Sequence, residues 1–288
     1  MILSAVLWGA GWPALKFLSR GTPALHVMFL ELAAASIFAL TVVLVRSDGV
    51  KNWQRIRIAA AIGLIEPGAA YLLFAIGVSY TTASSATIID ALQPLVILLL
   101  ATSIFGERFA PVLIALIVGA LAGTALAIGF PLAGRQQAVL FGDALVGLGM
   151  MLAAFHSVLM KRVVAEVEPF VVTAVQQTVG AVMVGAAVVW TSGFRTTLSL
   201  SAYDLAQIAL AGVVTIALPF VLYITAVRVI SGASAGVAIA FIPVSGLTFS
   251  AIMLGEKLSL VQVAGAGITI GALFLAARVD REAQYFPR

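Results

Sequence analysis

Glu31, Glu66, Asp90 and His156 each interrupt a run of apolar residues long enough to cross a bilayer, and they are the places where chemistry is expected. An ionisable group at the centre of such a run costs from about 2.5 kcal/mol upward, so it faces protein or a water-filled space. A carboxylate there can hold a solute's ammonium group or take up a proton. A neutral imidazole can donate to a carboxylate or relay protons. Glu66 is the sharpest case, mid-run and directly before Pro67; its alternative role is to bond backbone groups that the proline frees. Asp90, Gln93 and Pro94 fall at spacings that put them close to one helix face.

Two weaker candidates carry alternatives of equal weight. Glu31 lies nearer the end of its run, where pairing with Lys16 or Arg20 serves it as well as a proton-coupling role. His156 reads equally as a substrate or proton group and as a satisfied packing histidine. Ser4, Trp8, Trp12 and Lys16 recur every four residues, which sets them along one stripe of a helix. Such a stripe can stack on a ligand ring or cation, or form part of an interfacial aromatic belt. Tyr71 and Tyr223 each follow a proline by four residues, so binding and packing are both open to them.

The elements that must position these groups are membrane helices. Hydrophobic residues make up 62% of the chain and charged residues 10%, with a mean hydropathy of +1.15. Ordinary soluble domains carry about 25% charged residues. Apolar runs near 2–19, 24–45, 57–77, 83–104, 111–129, 139–160, 170–191, 205–227, 234–254 and 259–277 predict ten transmembrane helices and no soluble domain. The first run starts at Ile2 and is followed by many others, so it reads as a spanning helix and not as a cleavable leader. With a cytoplasmic N-terminus, eleven Lys and Arg fall in inner loops and tail against five outside. The positive-inside rule then places both termini in the cytoplasm, with a bacterial cytoplasmic (inner) membrane as the expected location.

Several functions are excluded by composition. The chain has no cysteine and two histidines, His26 and His156, outside any HExxH pattern. No metal, cofactor or catalytic residue is expected, and no P-loop supports ATP-driven pumping. The net charge of +4 reflects basic loops and does not imply nucleic acid.

An internal repeat organises the chain. Pro94 opens P-x(11)-G-E-R, ending at Gly106-Glu107-Arg108, and Pro243 opens P-x(11)-G-E-K, ending at Gly255-Glu256-Lys257. Ser85-Ala86 matches Ser234-Ala235 at the same offset of 149, and Pro67 and Tyr71 match Pro219 and Tyr223 at 152. The halves are 1–134 and 135–288, with five helices each. An odd number of spans per half makes the second copy enter from the opposite side, giving two five-helix inverted-topology repeats. Pro67, Pro94, Pro219 and Pro243 are expected to kink their helices. Either hairpins 3–4 and 8–9 gate by bending there, or the kinks merely shape the bundle. The Gly-Glu-Arg and Gly-Glu-Lys blocks are expected at turns with their charges facing headgroups. The Gly119–Gly123 spacing points to close helix packing within a monomer, with a dimer through helix 5 as the alternative.

Two five-helix halves, Trp8-Gly9 and the two Pro…Gly-Glu blocks resemble the EamA type of the drug/metabolite transporter superfamily, over essentially the whole chain. The resemblance implies a central cavity between the halves and export of metabolites, often amino acids. The YddG-like aromatic amino acid exporters are one branch that fits the length and layout, with no single motif selecting it. Many relatives carry an Arg early in the second span, where this chain has Glu31, matched by Gln177 in the seventh. The expected partners are the lipid bilayer and a small solute, either an amino acid or another metabolite, organic cation or drug, with proton coupling through Glu31, Glu66, Asp90 or His156 open.

Overall fold

A computed structural model describes residues 1–46, 53–105, 111–128, 136–160, 167–227 and 241–285, and among them every regular element is a helix. In chain order these are α1 (Ile2–Leu18), α2 (Ala24–Arg46), α3 (Trp53–Tyr80), α4 (Ala83–Asp90, then Gln93–Phe105), α5 (Pro111–Ile128), α6 (Gln137–Met160), α7 (Pro169–Thr191), α8 (Ala202–Ala226), α9 (Phe241–Leu254) and α10 (Leu260–Tyr285), with a single helical turn, Arg195–Leu198, between α7 and α8. α2, α3, α6, α7 and α8 are long and apolar enough to cross a membrane. The remaining apolar helices are shorter.

Local signals set the helix ends. The Thr82 hydroxyl accepts from the Ser85 N–H at 3.0 Å, and the Glu168 carboxylate accepts from the Val171 N–H at 3.1 Å ahead of Pro169. Gly193 and Gly255 stop α7 and α9 with φ of 66° and 68°, a region that glycine enters without steric penalty. Prolines set the interruptions. α3 widens into a π-type turn over Leu64–Ala69, with Glu66 extended at φ −142°, ψ 129° just before Pro67. α8 has the same wide turn over Gly212–Ala217, ahead of Pro219. α4 breaks at Ala91-Leu92, ahead of Pro94. Three of the four expected distortions are therefore present. Pro243 lies buried in the first turn of α9, and the residues before Phe241 are outside the described part.

The bundle is assembled from close pairs. α5 packs on α10, α2 on α7, α3 on α6, and α1 on α9 and α8, while α4 lies against α6 and α9. The largest apolar core draws buried residues from every one of these helices except α9, and a smaller one joins Ile56, Val171, Phe220 and Ile224. Leu44, Trp190, Ile252 and Leu260 are at least 74% exposed, which in water would be costly and in lipid is not.

Gly123 shows how tightly α5 and α10 meet: a Cβ there would lie 2.7 Å from the Gly265 carbonyl oxygen and 2.8 Å from the Thr269 nitrogen. Gly119 faces open space. The expected monomer packing thus holds at Gly123 and not at Gly119. Gly123→Ala should cost about 1–3 kcal/mol through overpacking and lower the melting temperature in detergent. Gly119→Ala should not, since a helix gains up to about 1 kcal/mol from that exchange.

Candidate functional site

The break at Pro67 places Glu66 in the bundle interior, 7% exposed. Its Oε2 lies 2.9 Å from Nδ1 of His156 on α6, which is also buried. The imidazole's other nitrogen, Nε2, is 3.0 Å from Nε2 of Gln176 on α7. Gln176 Nε2 also donates to the Ala59 carbonyl at 3.3 Å and lies 3.2 Å from the Met160 sulfur. An amide NH2 only donates, so the ring nitrogen facing it accepts and Nδ1 carries the proton that goes to Glu66. The arrangement reads as carboxylate, neutral imidazole, carboxamide. The Gln176 Oε1 has no hydrogen-bond partner among the described residues. α7 comes close enough to α3 to deliver Gln176 because Gly180 sits on the Pro67 ring, where a Cβ would be 2.6 Å from Cγ.

Asp90 ends the first section of α4 at its break, half-buried. The Trp12 indole N–H donates to its Oδ2 at 3.2 Å. The Trp12 ring meets Phe74 edge-on with centroids 4.9 Å apart, and Tyr71 stands 5.7 Å from the same Phe74. Tyr71 lies close enough to Glu66, Asp90 and Glu31 to feel all three charges, and Glu66 acts on Asp90 and on Tyr223 as well. The structure thus gathers acids from α2, α3 and α4 around one tyrosine on α3. Each of them stands out in the sequence, and their grouping does not.

Along the α1 stripe the partners alternate. Ser4 Oγ donates to the Pro219 carbonyl at 2.7 Å, and Trp8 packs on Phe220 and Tyr223, both at 5.3 Å. Trp8 and Tyr223 therefore meet each other, one helix turn nearer the chain's start than the Trp12–Asp90 pair. Gln93 and Pro94 are half-buried just past the α4 break. Pro67 sits in its distorted turn, Pro219 directly follows the one in α8, and Pro243 is buried in the first turn of α9. Among the described residues no group of three metal-ligating side chains occurs. An apolar groove between α2 and α7, lined by Phe29, Ala33, Ile37 and Val182, borders none of the acids.

Two expectations are corrected, the first within that group of acids and the second at the opposite end of the bundle, where α1 stops. Glu31 pairs with neither Lys16 nor Arg20: it is 2% exposed and its Oε1 has no hydrogen-bond partner among the described residues. The cations go to main-chain oxygens. Lys16 Nζ donates to the carbonyls of Val78 at 2.6 Å and Thr81 at 2.8 Å, and Arg20 Nη2 to that of Leu254 at 3.2 Å. Glu256, expected to face headgroups, turns inward and accepts from the N–H groups of Ala83 and Ser84 at 3.1 Å each, and from the Ser84 hydroxyl. The positive end of the α4 dipole supplies the attraction. The companion block, Gly106-Glu107-Arg108, lies outside the described residues, as do Ser234-Ala235.

Other polar groups are not singled out by the sequence as site residues. Gln176 sits beside Gln177, which is fully buried with neither amide atom partnered among the described residues. Thr81 Oγ1 donates to Asp143 on α6. The signal for both glutamines is their position: two adjacent amides in the middle of the apolar run that becomes α7. Glu256 carried no local clue, because its partners lie 172 and 173 residues away.

Against known proteins, the sequence profile of the EamA-like transporter family matches residues 1–129 and 140–278. An uncharacterized transporter of Archaeoglobus fulgidus (strain ATCC 49558 / DSM 4304 / JCM 9628 / NBRC 100126 / VC-16) is 21% identical over 279 residues, covering 96% of this chain and 97% of its own. A solved crystal structure shares the fold at a TM-score of 0.71 with 16% identity, over 98% of this chain and 97% of that one.

Proposed function

Because this chain belongs to the EamA-like transporter family of multi-pass membrane proteins, we propose that it is a secondary exporter of small amines and amino acids, aromatic ones included, working by alternating access between two inverted five-helix halves. The observation that carries the substrate class is the Trp12–Asp90 pair: a carboxylate inside an apolar bundle, walled by Trp12, Phe74 and Tyr71. A carboxylate beside aromatic faces suits an ammonium group on an apolar body. The tyrosine hydroxyls supply donors for a zwitterion's carboxylate. A phosphorylated solute would want paired Lys or Arg deep in the bundle, and Lys16 is already committed to two carbonyls.

Two observations support the two-halved plan. The family profile matches the chain twice, in stretches of similar length. Helix pairing also repeats with the halves exchanged, since α3 with α6 answers α8 with α1, and α5 meets α10 as α2 meets α7. The ties among Lys16, Arg20, Glu256 and the α3–α4 turn then form a closure on one side, which the positive-inside tally makes the outer one. Organic cations are the second reading, favoured by the same acid and rings.

Uptake into proteoliposomes of labelled amino acids, organic cations and sugar phosphates, with and without a pH gradient, tests the reading. Saturable flux of amines or amino acids is expected. Flux of a sugar phosphate with none of the others would reverse it.

A further inference from the structure

The acids near Tyr71 do not stand in equivalent surroundings. Glu66 already has an imidazole partner, 2.9 Å away, and that imidazole is held on its far side by Gln176. Asp90 has one indole donor on Oδ2, is the more exposed of the two, and lies where α4 is interrupted. A group that must trade a proton for another ligand needs partners that remain usable in both states. A group that must receive an ammonium needs acceptor capacity and room.

We propose that the two acids divide the work, with the Glu66–His156–Gln176 chain as the proton site and Asp90 with Trp12 as the seat of the solute's ammonium group. This rests on the export reading above. In the arrangement seen, His156 is neutral, with Nδ1–H donating to Glu66 and Nε2 accepting from Gln176. A proton arriving from water adds at Nε2, and the ring becomes a cation beside the Glu66 carboxylate. The new N–H cannot face an amide NH2. The Gln176 carboxamide therefore turns over and presents Oε1, the buried atom that has no partner among the described residues. That turn gives up the Gln176 bond to the Ala59 carbonyl of α3. One proton thereby changes how α7 grips α3 next to the Pro67 break. Loss of the proton from Nε2 to water on the other side restores the first state.

Among the described residues, three titratable groups lie within the electrostatic reach of Glu66. From α3 itself comes Tyr71, from α4 Asp90 and from α8 Tyr223, all acted on by Glu66. Asp90 is the group through which solute and proton sense each other. An ammonium on Asp90 offsets its negative charge near Glu66 and lowers the pull on the proton, so solute binding favours proton release. That is the linkage an exchanger requires.

The experiment uses full-length protein in proteoliposomes, with L-phenylalanine and phenethylamine as labelled probes. Two readouts are taken: KM, and the ratio of flux with a pH gradient to flux without one. Asp90→Asn should raise KM about tenfold or more while the ratio stays above one, and Asp90→Glu should recover most of the loss. Glu66→Gln and His156→Gln should bring the ratio to about one. A wild-type ratio of one, an unshifted KM for Asp90→Asn, or equal loss of both readouts in all variants would overturn the assignment. Absence of flux for both probes in the wild type counts against the export reading instead.

A measurement independent of flux keeps the proton site testable in that event. With two histidines in the chain, histidine-labelled protein gives two imidazole signals by nitrogen NMR, and His26→Gln identifies the other. His156 should show the Nδ1–H tautomer, and Gln176→Leu should weaken that preference. An Nε2–H tautomer, or a preference indifferent to Gln176, would sink the proton chain.

Discussion

A thiol-reactive bridge across Ser84→Cys and Glu256→Cys should reduce flux on the order of tenfold or more, and cleaving the bridge should restore it. The expectation comes from what Glu256 holds. Its carboxylate closes the start of α4 from the turn between α9 and α10, on the N–H groups of Ala83 and Ser84 and on the Ser84 hydroxyl. Lys16 holds the end of α3 on the other flank of the same turn. If solute passes that end of the bundle, these contacts must part in every cycle. The chain has no native cysteine, so the introduced pair is the only one that reacts. Each single variant, and the double variant before bridging, controls for the loss of the cap itself. Undiminished flux with the pair locked would show that the closure stays shut throughout transport and would remove it from the mechanism.

The second large effect concerns stability. Glu66→Leu alone leaves His156 Nδ1 buried with its donor unused, and His156→Leu alone leaves a buried carboxylate without its imidazole. Each should cost about 3–5 kcal/mol, while the double variant should cost clearly less than the two together. Thermal or denaturant unfolding in one detergent, read as a double-mutant cycle, gives the coupling directly. Strict additivity would mean that the pair is held by the surrounding helices and contributes nothing as a pair. Gln176→Leu belongs in the same series, because it removes the amide that accounts for the tautomer while leaving both the carboxylate and the imidazole in place.

Much of the helix placement is readable from hydropathy and proline positions. The apolar runs begin and end within about four residues of the observed helices wherever these are described, since lipid-facing segments stop at charge, Gly and Pro, except that α10 runs on past 277 to Tyr285. Three prolines announce their distortions, because the missing N–H and the ring leave the preceding turn few alternatives. Pairings between distant side chains are not readable. Nothing local to Glu256 says that it caps a helix on the other side of the chain's midpoint, and nothing local to Lys16 says that its partners are carbonyls of α3 and the following turn. The grouping around Tyr71 is hidden for the same reason, as it draws acids from three helices that only tertiary packing brings together. Gln176 and Gln177 are inconspicuous because an uncharged amide stands out less in an apolar run than a titratable group does. Burial gives them their weight.

The ties at the end of α1 are made between three charged side chains and, almost entirely, the peptide backbone: the oxygens of Val78, Thr81 and Leu254 and the nitrogens of Ala83 and Ser84. A side chain that can be exchanged without altering its own peptide group leaves such a partnership intact. Exchange of the side chains at positions 78, 83 and 254 therefore leaves these ties in place, with Val78 and Ala83 constrained only by their packing in the apolar core, while the ties themselves rest on Lys16, Arg20 and Glu256. In descendants of this protein, those three should change last.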